Sequence, residues 1–169
     1  MPDKQPALFI SHGAPDFVLT DHVANTTLKN LGKKIASPKT IIIISAHWTH
    51  TPIGITTATS HRIIYDFSGF PEALYQLNYP DKGDPALAGQ IPHQLDRSGF
   101  SVALDQERGL DHGAWVPLML IYPTAEIPVI QVSLPMGTLR ESAKLGEALA
   151  PFREQGVLII GSGGSVHNL

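Results

Sequence analysis

Three stretches of the chain share one pattern of apolar and polar positions. ALFISHGAP (7–15), IIIISAHW (41–48) and VLIIGSGGSVHNL (157–169) each start as an aliphatic run. Each then passes into small residues and a histidine: His12, His47 and His167. An unbroken β-branched run such as 41–44 lacks the alternation of a half-exposed strand, and predicts a strand covered on both faces. The pattern therefore predicts strands that run through the core and release an imidazole just beyond their carboxyl ends.

The remaining apolar segments fill in the architecture. Further strands are expected over 53–57, 101–104 and 127–133. A helix is expected over 21–35, with Asp21 as its N-cap and Val23, Leu28, Leu31 and Ile35 on one face. A short helix should begin at Pro71 and cover 71–77. Residues 85–97 read as helix, interrupted near Gly89 and Pro92. Residues 114–121 (AWVPLMLI) are apolar all round, hence buried as helix or strand, with Pro117 favouring an early helical turn. A last helix over 138–152 stops before Gly156.

Strands alternating with helices predict an α/β fold: one central, mostly parallel, twisted sheet flanked by helices, over 1–169 as a single domain. In such sheets ligands bind outside the carboxyl ends of the strands. His12, His47 and His167 would then meet there although they lie far apart in the chain. A single strand-end histidine is ordinarily a hydrogen-bonded side chain, so the repetition carries the reading.

Composition narrows the chemistry. There are 169 residues, 43% of them hydrophobic, enough for one domain with a real core. The formal charge is −3 and the basic residues are scattered, so no nucleic-acid surface is expected. No apolar run approaches the roughly 20 residues of a membrane span, and the amino terminus lacks a signal pattern. A cytoplasmic location is expected. The absence of cysteine excludes disulfides and thiolate chemistry. The eight histidines leave imidazole and carboxylate as the ligands any transition metal would use.

His112 lies in GLDHGAW (109–115), between Asp111 and Gly113 and just ahead of a buried segment. An imidazole next to a carboxylate is a candidate acid/base. His22, His50, His61 and His93 sit in polar or turn-like contexts and read as ordinary surface or core residues. GSGGS (161–165) follows a strand but lacks the lysine of a phosphate loop, so it reads as a flexible support for His167. No nucleophile elbow and no HExxH pattern point to a hydrolase.

ALFISHGAP, IIIISAHWTH, IYDFSGFPEALYQLNYP (63–79), GLDHGAWVPLMLIYP (109–123), IPVIQVSL (127–134) and GSGGSVHNL together resemble the LigB-type (class III) extradiol ring-cleavage dioxygenases. The likeness is greatest to their DOPA 4,5-dioxygenase-like branch. It runs along nearly the whole chain in the family's order. It implies an α/β fold with a mononuclear site in a cleft, a catechol-type substrate and O2. The metal it implies is Fe(II), with Zn(II) as the alternative. By motif position His12 and His47 would be metal ligands. His112 would be an acid/base or substrate-orienting residue, and His167 either a metal ligand or the catalytic base. Phe17, Trp48, Phe67, Phe70, Tyr75 and Trp115 are candidates for an aromatic wall against the substrate ring, Trp48 and Phe70 foremost. Asp66 and Asp111 accompany the site motifs and could orient an imidazole or serve as caps.

Relatives of this family continue past the VHNL motif into further sheet, helix and another metal ligand, whereas this chain ends at Leu169. An incomplete version of the catalytic domain is therefore expected. Apolar surface should be exposed where the rest would pack, which favours self-association into a homo-oligomer. A non-catalytic binding module on the same fold is the alternative function.

Overall fold

The computed structural model describes residues 3–164. Six strands form one sheet: β1 (Ala7–Ser11), β2 (Thr40–Thr49), β3 (Ile53–Thr56), β4 (Val102–Asp105), β5 (Val129–Leu134) and β6 (Val157–Gly163). Their order across the sheet is β1-β6-β2-β5-β3-β4. β1, β6, β2 and β5 run parallel to one another. β3 pairs antiparallel with β5 and parallel with β4, so these last two strands are reversed. The helices are α1 (Val23–Lys34), α2 (Pro85–Ala88), α3 (Ile91–Arg97), α4 (His112–Ile121) and α5 (Leu139–Leu149).

The isoleucine run explains the layering. Ile41 and Ile43 point to one face, Ile42 to the other, and all three are fully buried. On the first face they join Ile10, Trp115, Leu118, Ile121 and Ile160 in a core roofed by α4. On the second face Ile42 joins Ile55, Ile91, Leu95, Val132, Leu145 and Leu149 beneath α3 and α5. A strand with apolar neighbours above and below has no use for alternation. The same logic settles 114–121: α4 is buried nearly all round because it lies between the sheet and α1.

Several boundaries differ from expectation for local reasons. α1 starts two residues later, and its cap is His22, whose Nδ1 accepts from the Ala24 N–H. Asp21 does not cap it, and Val23 is exposed rather than on the buried face. Residues 85–97 divide into α2 and α3 around Gly89 and Gln90. The turn after Pro71 is 3-10 (Glu72–Gln76), and 138–152 ends as the 3-10 segment Ala150–Gln155 once Pro151 intervenes. A 3-10 turn at Pro15–Leu19 has no counterpart in the apolar pattern.

β1 lies at one edge of the sheet and displays Phe9 at 69% exposure, beside a surface groove shared with exposed Val23. No helix among the described residues is long and apolar enough to cross a membrane.

α1 meets α4 at a point of backbone contact. A Cβ on Gly32 would fall onto the Ile121 carbonyl oxygen, whereas one on Gly146, in α5, would meet open space. Gly32→Ala is expected to destabilise by about 1–3 kcal/mol through overpacking. Gly146→Ala is expected to stabilise by roughly 0.5–1 kcal/mol by removing unfolded-state freedom. Paired thermal melts check both, and melting temperatures shifting in the same direction would contradict the α1–α4 contact.

Candidate metal centre

β2 leaves its ladder with β5 just where the isoleucine run ends. Between the Ile44–Val132 and Thr49–Leu134 pairs, β2 carries residues 45–48 while β5 carries only Ser133. SAHW is therefore a bulge, and bulges re-aim side chains at the ends of strands. This one presents His47, an exposed residue, at the carboxyl end of β2. His12 follows the end of β1, where its N–H bonds the Gly163 carbonyl on β6. His112 is the first residue of α4.

These three imidazoles converge, with one ligand nitrogen from each lying within 4.8 Å of the others. His12 Nε2 and His47 Nε2 are 3.0 Å apart. The ring centres of His47 and His112 are 3.9 Å apart, and those of His12 and His112 5.2 Å. Gly113 makes the approach possible. A Cβ there would fall onto Ser45 Oγ and come within 2.9 Å of His47 Cδ2 and 3.1 Å of His12 Cε1.

The hydrogen bonds set which nitrogens remain for chemistry. His112 Nδ1 lies 2.9 Å from Asp66 Oδ1, which also accepts the His112 backbone N–H at 3.1 Å. A carboxylate only accepts, so His112 carries its proton on Nδ1 and keeps the Nε2 lone pair. Burial pushes the Asp66 carboxyl up, but the ring and backbone hydrogen bonds from His112, together with its electrostatic attraction, outweigh it, and its pKa is lowered overall. His12 Nδ1 lies 2.9 Å from Ser162 Oγ, whose own proton goes to the Gly113 carbonyl. His12 too is left with a lone pair on Nε2. Two imidazole nitrogens 3.0 Å apart repel unless a positive centre lies between them, either a proton on His47 or a cation held by both. Three imidazoles drawn together, two of them with Nδ1 held by a neighbour, form a donor set that fits a divalent transition metal.

Behind the imidazoles lies a buried carboxylate, Asp111, 1% exposed. It accepts from Ser45 Oγ at 2.6 Å, from Gln131 Nε2, and from Arg108 Nη2 at 3.2 Å. Ser45 Oγ in turn accepts the His47 backbone N–H at 3.2 Å. Asp111 thus joins β2, β5 and the start of α4.

The site assembled here differs in part from the one read in the sequence. His12 and His47 come together as expected, and the third imidazole among the described residues is His112. His167 lies outside the described residues. Trp48 does not join the imidazoles. It is buried against Gly54, beneath the Arg108 guanidinium 4.2 Å from its ring centre. Phe70 is one ring removed: it packs on Phe67 at 5.3 Å, and Phe67 meets His112 edge-on at 5.7 Å. Asp66 does orient an imidazole, whereas Asp111 acts through Ser45. Arg108 and Gln131 are not singled out by sequence, and Ser162 reads only as part of the glycine-rich support for His167, because an isolated polar residue announces nothing by spacing. His61 is a core residue, its Nδ1 2.7 Å from buried Asp81. A cavity of about 460 Å³ lined by Lys39, Thr40, Asp84, Gln90 and Glu154 lies at the amino ends of β2 and β6, away from the imidazoles.

Asp111→Ala would strand Arg108 and leave Ser45 and Gln131 without their acceptor. A loss of about 3–5 kcal/mol is expected from breaking such a buried pair, read by denaturant unfolding. The lowered Asp66 pKa gives a second expectation. Its contribution to stability is full above the ordinary carboxylate value of 3.8 and fades as pH falls from there through the lowered folded value. Asp66→Asn should remove this part of the acid-side slope; an unchanged slope would contradict the Asp66–His112 bond.

A family model described as the catalytic LigB subunit of aromatic ring-opening dioxygenase matches residues 6–169. The 4,5-DOPA dioxygenase extradiol of Beta vulgaris is 49% identical over 166 residues, covering 94% of this chain and 61% of the plant protein. The 4,5-DOPA dioxygenase extradiol of Escherichia coli K12 is 39% identical over 170 residues, covering 98% of this chain and 61% of that protein. The crystal structure of an uncharacterised protein from Escherichia coli K12 superposes with a TM-score of 0.74 at 34% identity, over 97% of this chain and 62% of that one. The chain thus spans about three fifths of the length of the relatives it matches. With the family's pattern matched from residue 6 to 169, and the fold shared with a solved relative, this chain belongs to the LigB family of aromatic ring-opening dioxygenases.

Proposed function

We propose that this chain carries the metal- and substrate-facing part of an extradiol dioxygenase that opens a catechol-type ring with O2. The observation that supports it most is the convergence of His12, His47 and His112 from three separate elements to within 4.8 Å. The extradiol dioxygenases among the relatives set the reaction class, and their DOPA-cleaving members suggest 3,4-dihydroxyphenylalanine as a substrate to try.

In this reading His12 and His47, whose Nε2 atoms form the close pair, would be the residues that hold Fe(II). When bound, the metal supplies a Lewis-acid centre that brings catecholate and O2 side by side. His112 is the acid/base. Its Nδ1–H is fixed on Asp66, so its Nε2 lone pair is free to take a phenolic proton, and the Asp66 carboxylate stabilises the imidazolium that results. Phe67 and Phe70 form the apolar side of the site, with Phe67 against His112. His167, by its motif, remains a further candidate for base or ligand.

Anaerobic loading with Fe(II), followed by a catechol and air, should yield a yellow ring-opened product with one O2 consumed per ring. His47→Ala should abolish both metal retention and turnover. His112→Gln should keep the metal and slow turnover by about 10²–10⁴-fold, the usual contribution of a positioned acid/base. Stoichiometric Fe(II) with no oxygen uptake would overturn ring cleavage in favour of a non-catalytic binding module.

A further inference from the structure

Pro117 lies inside α4. Proline has no N–H, so the carbonyl four residues earlier, that of Gly113, lacks its helical donor. The Ser162 hydroxyl of β6 donates to that carbonyl instead. A hydroxyl has one proton. Once it is given to Gly113, Ser162 Oγ can only accept from His12 Nδ1, 2.9 Å away. Ser162 and His12 are both buried, so bulk water does not compete for these protons.

We propose that Pro117 is a positioning residue for His12: by withholding an N–H from the Gly113 carbonyl, it turns the Ser162 hydroxyl and thereby fixes His12 as the Nδ1–H tautomer with its Nε2 lone pair toward His47. A helix-breaking residue in a buried helix thus has a chemical consequence one turn away. With alanine at 117, a backbone N–H reaches back to Gly113 and completes the helix. Ser162 can then give its proton to His12 Nδ1, which leaves His12 with an N–H where a ligand needs a lone pair. The effect on metal affinity rests on the proposed metal site, whereas the effect on the tautomer does not.

The experiment uses the metal-free chain, ¹⁵N-labelled, with imidazole nitrogen shifts read by two-bond correlation, and a parallel titration with Zn(II). The wild type should show His12 protonated at Nδ1. Pro117→Ala should shift His12 toward Nε2–H and weaken Zn(II) by about 10–100-fold, the usual loss when a group behind a ligand is removed. Its melting temperature should hold or rise, because an interior helical proline has been replaced. Stability and affinity moving in opposite directions is the signature a merely structural proline would not give. Adding Ser162→Ala to Pro117→Ala should weaken Zn(II) no further than Ser162→Ala alone.

An unchanged His12 tautomer in Pro117→Ala, or an affinity loss that only follows a fall in melting temperature, would overturn the proposal. Should Pro117→Ala fail to fold, Ser162→Ala decides: wild-type Zn(II) affinity and an undisturbed Nδ1–H tautomer there would overturn it equally. If the wild type binds no Zn(II) while the tautomer still responds to residue 117, the relay stands and the metal reading falls.

Discussion

One buried carboxylate constrains the geometry of the whole site. Asp111 is held almost entirely out of water, and an ionised carboxylate in that position is tolerable only if donors surround it. Ser45, Gln131 and Arg108 supply them from β2, from β5 and from the loop before α4. Satisfying that charge fixes the start of α4 against the end of β2. Because His112 follows Asp111 directly and His47 stands two residues past Ser45, the same requirement holds two imidazoles in register. The charge itself touches no imidazole. It sets the frame within which the imidazoles meet.

A second layer of contacts turns that frame into a donor set. Asp66 and Ser162 each accept a hydrogen bond from the Nδ1–H of an imidazole, so both His112 and His12 keep Nε2 lone pairs. The bulge at SAHW brings His47 to the same place from β2. Gly113 allows the helix to come close enough for rings on β2 and α4 to lie 3.9 Å apart. Each device is a small local departure from regular structure: a bulge, a missing side chain, a proline in a helix. All three occur within a few residues of the imidazoles, which is where a fold accepts irregularity for the sake of function.

Much of this was legible in the order of residues. The unbroken isoleucine run demanded a strand covered on both faces, and Ile41, Ile42 and Ile43 bury alternately into the two cores. The histidines at the carboxyl ends of the first two apolar runs pointed to a shared crevice, since parallel strands end together. Other features left no such trace. The reversal of β3 and β4 depends on tertiary pairing, not on periodicity. His112 entered the cluster because the start of α4 is fastened to the end of β2 through Asp111 and Ser45, which an apolar segment alone does not specify. Trp48 looked like a substrate-facing ring because it adjoins His47, but the Arg108 guanidinium covers it and Gly54 leaves room for it in the core. Adjacency in sequence at a bulge says little about which way a side chain points.

The central claim is that His12 and His47 share a cation through facing Nε2 atoms, and crystals soaked anaerobically with Fe(II) and measured at the iron absorption edge test it most directly. The expected result is a single strong anomalous peak at bonding distance from both Nε2 atoms. Diffraction of good quality with no peak there, or with iron bound only elsewhere on the chain, would contradict it.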